Sequence, residues 1–184
     1  QSGLELSTKS PRLHNTLGLI YLNEDDQRRA IRSFASAIKA DKGFVPSKLN
    51  LGALALSYKD FKLAYAQFKR AVEIDVNNEM AILSFGVAAR SLGKLVEADT
   101  LYKRVLALNP KNVGALYNRA VLESDYKKNY AASLDLLNQV MRLATRDPVF
   151  RKKITNRIEV AKIQLQAQQE MEAAKKQEAL QSPA

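Results

Sequence analysis

The sequence predicts an all-α chain, an α-solenoid of helix-turn-helix repeats, and three observations carry that prediction. Small residues recur at a fixed period: Gly18, Gly52, Gly86 and then Ala120 stand 34 positions apart. Two further columns keep the same register, Ala30, Ala64 and Ala98, and the aromatic Phe34, Phe68 and Tyr102. Turn-forming segments alternate at the intervals a pair of helices needs. NEDD (23–26), SYKD (57–60) and SLGK (91–94) fall inside units; DKGF (41–44), DVNN (75–78) and NPKN (109–112) fall between them. Two helices of about a dozen residues each, with short turns, fill roughly 34 residues. Small residues belong where the two helices cross closely, and a large aromatic then fills the gap to the next unit.

Taken in order, residues 1–10 read as an N-terminal leader or linker. Ser10 suits the N-cap of a first helix opening on Pro11, so the first repeat spans 11–44. The second spans 45–78 and the third 79–112. In the second, the stretch LNLGALAL (49–56) is apolar all round. Leu51, Gly52 and Ala55 belong to columns that pack helix on helix, while Leu49, Ala53 and Leu56 share another face.

The fourth repeat, 113–146, is degenerate. Its LYNRAVLESDYKKNYAASLDLLNQVMRL falls into register once one extra residue is allowed in the inner turn. Tyr130 then stands where Phe61 and Leu95 stand, and Leu137 where Phe68 stands. Atypical end repeats are expected in such arrays.

From 147 to 181 the sequence predicts one long capping helix. Asp147 caps it and Pro148 opens it. Phe150, Ile154, Ile158, Ala161 and Leu165 make one continuous stripe, with no turn signal where an inner turn would fall. The first half should cap the open end of the array. The second half, AQQEMEAAKKQEAL, has little to bury; projection as a spacer, a coiled coil and an unpacked helix all stay open.

The period and its columns resemble the tetratricopeptide repeat (TPR) family over residues 11 to about 146. Pro110 sits in that family's inter-repeat proline column; Lys42, Val76 and Thr145 depart from it. The resemblance implies a right-handed TPR superhelix in which the first helix of each repeat lines a concave side. Three columns then face inward: Asn15, Leu49, Leu83 and Tyr117; Leu19, Ala53, Val87 and Val121; Leu22, Leu56, Arg90 and Ser124. Eight of the twelve are aliphatic or alanine, which suits an apolar groove for a protein or peptide segment. The competing reading is that they are further core, covered by tight curvature or by the C-terminal helix. Some TPR domains hold a peptide's C-terminal carboxylate with Lys, Arg and Asn on these helices. Here the inward columns hold no Lys and Arg90 stands alone, so no such clamp is expected.

Composition narrows the chemistry. Cysteine is absent and His14 is the only histidine, so no thiolate chemistry and no typical zinc site is expected. EDD (24–26) lacks the alternating carboxylates and central glycine of a calcium loop. No glycine-rich phosphate loop occurs and the carboxylates form no evident catalytic pair. The expectation is therefore a non-catalytic scaffold without metal or cofactor.

The net charge of +10 favours acidic partners. Lys-Arg recurs at 69–70 and 103–104. A basic run holds Arg142, Arg146, Arg151, Lys152, Lys153 and Arg157. These support a second reading, contact with nucleic acid or another anionic surface through the convex face and residues 142–162. Aromatics do not alternate with the basic residues of that run as single-strand stacking would require. Self-association through the C-terminal helix is also open. No apolar run reaches transmembrane length. The compartment stays open between bacterial cytoplasm and periplasm or cell envelope.

Overall fold

How each helix starts and stops determines the architecture. The computed structural model describes residues 10–143 and 147–181, so the leader reading for 1–9 and the placement of Arg146 lie outside the described residues. Within them the helices are α1 (Pro11–Asn23), α2 (Gln27–Ala40), α3 (Val45–Ser57), α4 (Phe61–Ile74), α5 (Glu79–Ser91), α6 (Leu95–Leu108), α7 (Val113–Val121), α8 (Tyr130–Leu143) and α9 (Pro148–Gln181). No strand occurs among the described residues.

The first helices begin at capped positions spaced by the repeat. Ser10, Asn78 and Asn112 each accept a hydrogen bond from a backbone N–H in the first turn. Phe44 stands in the same column without a side-chain cap, and there Pro46 is the second residue of the helix.

The inner turns share one device. Asp25, Lys59, Gly93 and Lys128 have φ of 59°, 61°, 76° and 57°. Each first helix thus ends on a left-handed residue, three of them non-glycine. Beyond it, the N–H of Asp26 donates to the carbonyl of Tyr21, Asp60 to Ala55 and Lys94 to Ala89. In the fourth hairpin the equivalent bond runs from Asn129 to Glu123, one residue longer. The extra residue is taken up in a π-helical turn, Leu122–Tyr126, which widens the end of α7 without breaking it.

The described residues fall into two compact units, divided between Arg104 and Val105 within α6. In the first, every hairpin is closed by an aromatic ring lying on a glycine of its own first helix. A Cβ on Gly52 would come within 2.6 Å of the Phe68 ring, and one on Gly86 within 2.6 Å of Tyr102; Gly18 meets Phe34 in the same way. Phe34, Phe68 and Tyr102 are fully buried, as are Ala30, Ala64 and Ala98. The aromatics therefore fill the hairpin's own crossing, because glycine removes the one atom that would hold the ring off, and Phe34 also packs with Leu51 and Leu54 of the next hairpin.

In the second unit the pair is Ala120 with Leu137, and Ser133 replaces the column alanine. The Ser133 hydroxyl donates to the Ala120 carbonyl at 3.0 Å. A core of Leu116, Ala120, Leu136, Leu137, Val140 and Ile154 joins α7, α8 and α9, with Phe150 and Ile158 packed against it. Asp147 caps α9 by accepting from the N–H of Val149 (2.9 Å) and Phe150 (3.2 Å). It falls in the cap column of Ser10, Phe44, Asn78 and Asn112, displaced by the one inserted residue. Beyond Gln168, α9 is exposed through Leu180.

Two stability predictions follow from these contacts. Gly52→Ala should cost about 1–3 kcal/mol, since the methyl must displace a buried ring. Adding Phe68→Leu, which installs the Ala–Leu pair of the fourth hairpin, should recover part of the loss in a denaturation double-mutant cycle. Ile154→Ala should cost about 2–5 kcal/mol, because the side chain is wholly buried beneath α9. If urea denaturation shows no change for Ile154→Ala, α9 does not close the second unit.

Candidate interaction surface

The predicted inward residues sit at i, i+4 and i+7 on successive first helices, so each helix presents its three on one side. In the first unit these helices are neighbours. The Asn15 side-chain carbonyl accepts from Ser47 Oγ at 3.0 Å and from Asn50 Nδ2 at 2.9 Å, joining α1 to α3. Leu22 packs against the cluster of Ala30, Phe34, Leu51 and Leu54. The outer two columns thus take part in stacking α1 against the next hairpin. The middle column is different: Leu19 is 46% exposed and Ala53 is exposed, with Val87 half-buried. Leu49, Leu56, Leu83 and Arg90 are half-buried around them.

The second unit treats the same columns differently. Tyr117 meets Phe150 with ring centroids 5.7 Å apart. Ser124 is 8% exposed and its hydroxyl accepts from Arg157 at 3.3 Å. Val121 is 5% exposed. Allowing for the insertion, Tyr117–Phe150 repeats the register of Asn15–Ser47. The first half of α9 therefore packs as the first helix of a further hairpin would. That leaves Val121 and Ser124 with little surface to offer a partner.

The predicted basic run also divides. Arg157 forms a two-pronged ion pair with Asp125, both N···O distances 3.0 Å, and this raises its already high pKa. The Lys153 ammonium lies 5.1 Å from the Tyr117 ring centroid. Both tie α9 to the fourth hairpin. Arg142, Arg151 and Lys152 are exposed.

Sequence reading missed two features of the first unit. Tyr65 donates to the Glu97 carboxylate (2.9 Å), accepts from Lys94 (2.9 Å) and packs edge-on against Phe85. That hydrogen bond to Tyr65 raises the Lys94 pKa. Lys48, in the column of His14, Ile82 and Leu116, is only 2% exposed, and burial lowers its pKa. Nothing in the period signals either, because both depart from it.

Among the described residues no cluster of His, Cys, Asp or Glu could hold a metal ion, and no helix is long and apolar enough to cross a membrane. Residues 11–44 match the tetratricopeptide repeat family. No curated protein matches the sequence. Several solved structures are similar. YrrB, a TPR protein with an unusual peptide-binding site, is 26% identical over 77% of this chain and 72% of that one, with a TM-score of 0.66. PilF of Pseudomonas aeruginosa is 16% identical over 93% and 85%, with a TM-score of 0.70. The first TPR domain of Spaghetti (RPAP3), solved with the HSP90 peptide SRMEEVD, is 23% identical over 65% and 95%, with a TM-score of 0.61.

Proposed function

We propose that this chain, a tetratricopeptide repeat protein by its tandem hairpins and its matched first repeat, is a non-catalytic scaffold that binds a partner protein. Its similar structures include peptide-binding TPR proteins. The partner's apolar segment lies across the first helices of the first unit. The observation that carries this reading is the middle column, where Leu19 and Ala53 remain exposed between half-buried Leu49, Leu56 and Leu83. An apolar side chain seated there gains about 1.5–3 kcal/mol when well buried. The flanking half-buried Leu49, Leu56, Leu83 and Val87 extend the apolar strip, and Arg90 at its end supplies one cationic contact. Tyr117 and Ser124 are left out of the groove because they contact α9, and Val121 because it is buried.

Self-association is a second reading, favoured by α9 itself. Val160, Ile163 and Met171 are well exposed on a helix that continues past its packed half. Sedimentation of the chain with and without residues 166–181 distinguishes a copy–copy contact from a partner groove.

Leu19→Glu combined with Ala53→Glu should cut partner affinity at least tenfold, about 1.4 kcal/mol or more, in affinity capture followed by titration. The thermal melt should be unchanged because both positions are exposed. Retained capture by the double variant would overturn the groove. The captured complex should also survive a rise from 50 to 200 mM salt. A contact dominated by phosphates would lose about 10³–10⁵ in affinity over that range.

A further inference from the structure

Two hairpin junctions of the first unit follow one template and differ at a single carbonyl. Lys42 and Val76 occupy the same column, as do Arg70 and Arg104, and Lys48 and Ile82. At the later junction the Arg104 guanidinium donates to the Val76 carbonyl. At the earlier one the Lys42 carbonyl accepts instead from the buried Lys48 ammonium. The equivalent carbonyl therefore already has a cationic donor, and Arg70 makes no hydrogen bond to it. Arg70 is exposed and, among the described residues, has no hydrogen bond or ion pair; the same holds for the side chains of Lys39 and Lys42.

These groups converge. Lys39, Lys42, Lys48 and Arg70 line a cleft of about 540 Å³ between α2 and α4, with Ile38 and Ile74 as its apolar wall. Glu73 also lines it, and Asp41 lies near Lys48 with its carboxylate accepting the Gly43 N–H at 2.7 Å. Four cations against two carboxylates leave an excess of two positive charges. Burial and the Arg70 charge both disfavour the Lys48 ammonium, while Asp41 supports it. A site that spends stability on unpaired like charges gains most from a bound anion.

We propose that this cleft binds a phosphate monoester, its dianion held by Arg70 and the three lysines and its organic part against Ile38 and Ile74. The excess of two charges matches a phosphate dianion better than a single carboxylate, and the guanidinium fork fits two phosphate oxygens at once. The volume exceeds what inorganic phosphate fills, which leaves room for an apolar body. The site draws on α2, α4 and the turn between α2 and α3, with Lys48 alone from α3, and shares no residue with the proposed groove, so the two can be tested independently.

Phenyl phosphate is the probe, followed by amide chemical shifts of the full chain. Shifts should concentrate at Lys39, Lys42, Lys48 and Arg70. Benzoate, with the same ring and one charge, should bind at least tenfold more weakly. Arg70→Gln should lower phenyl phosphate affinity at least tenfold with no change in the melt, whereas Arg104→Gln should leave it unaltered. Because the second phosphate pKa is near 6, the ester loses its second charge and affinity should fall as pH drops from about 7.5 to 5. Equal binding of benzoate, an unaffected Arg70→Gln variant, or shifts absent from these four residues would overturn the proposal.

Discussion

A ring resting on bare backbone sets the spacing of the first three hairpins. Where Phe34, Phe68 and Tyr102 lie on Gly18, Gly52 and Gly86, the paired helices approach closer than any Cβ allows. The contact fixes how the second helix crosses the first, and so where each inner turn must reverse the chain. The left-handed residues at 25, 59 and 93 end the first helices of these hairpins, and Asp25 and Lys59 accept a conformation that glycine takes freely; Lys128 does the same in the fourth hairpin, where no ring lies on glycine. In the fourth hairpin, Ala120 restores a methyl and Leu137 gives up the ring, so the pair is exchanged rather than lost.

The repeat, its small-residue columns and the long last helix were legible because each is a periodic demand of packing, and a period survives in one sequence. The inserted residue of the fourth hairpin was legible too, since Tyr130 and Leu137 return to register after it. Its form, a π-helical turn, was not, because an extra residue can equally lengthen a loop. The contact of each aromatic with the glycine of its own hairpin was not legible either, because a column gives which residues are equivalent, not every surface a ring touches.

The candidate surface was legible only in outline. Column position places Asn15, Leu22, Tyr117 and Ser124 on the side where first helices meet. It does not distinguish a residue facing open space from one beneath the next helix. Asn15 spends its carbonyl on Ser47 and Asn50, and Tyr117 spends its ring on Phe150. In the middle column Leu19 and Ala53 stay exposed and Val87 half-buried, which is why the proposed groove is centred there.

The same reasoning explains why the irregular positions carry the chemistry. A repeat satisfies its backbone the same way each time, so a substitution that takes over one acceptor displaces the group that would have used it. Lys48 takes the Lys42 carbonyl, whereas at the next junction Arg104 takes that of Val76 and Ile82 stays apolar. The cost is a buried ammonium, and the result is an arginine without a local partner beside two more cations. Arg157 shows the opposite outcome at the far end of the array, where Asp125 supplies the missing charge and the basic residue becomes part of the seat of α9. One basic residue is matched within the fold and the other is not, and that difference directs attention to Arg70 rather than to the longer basic run that composition alone singles out.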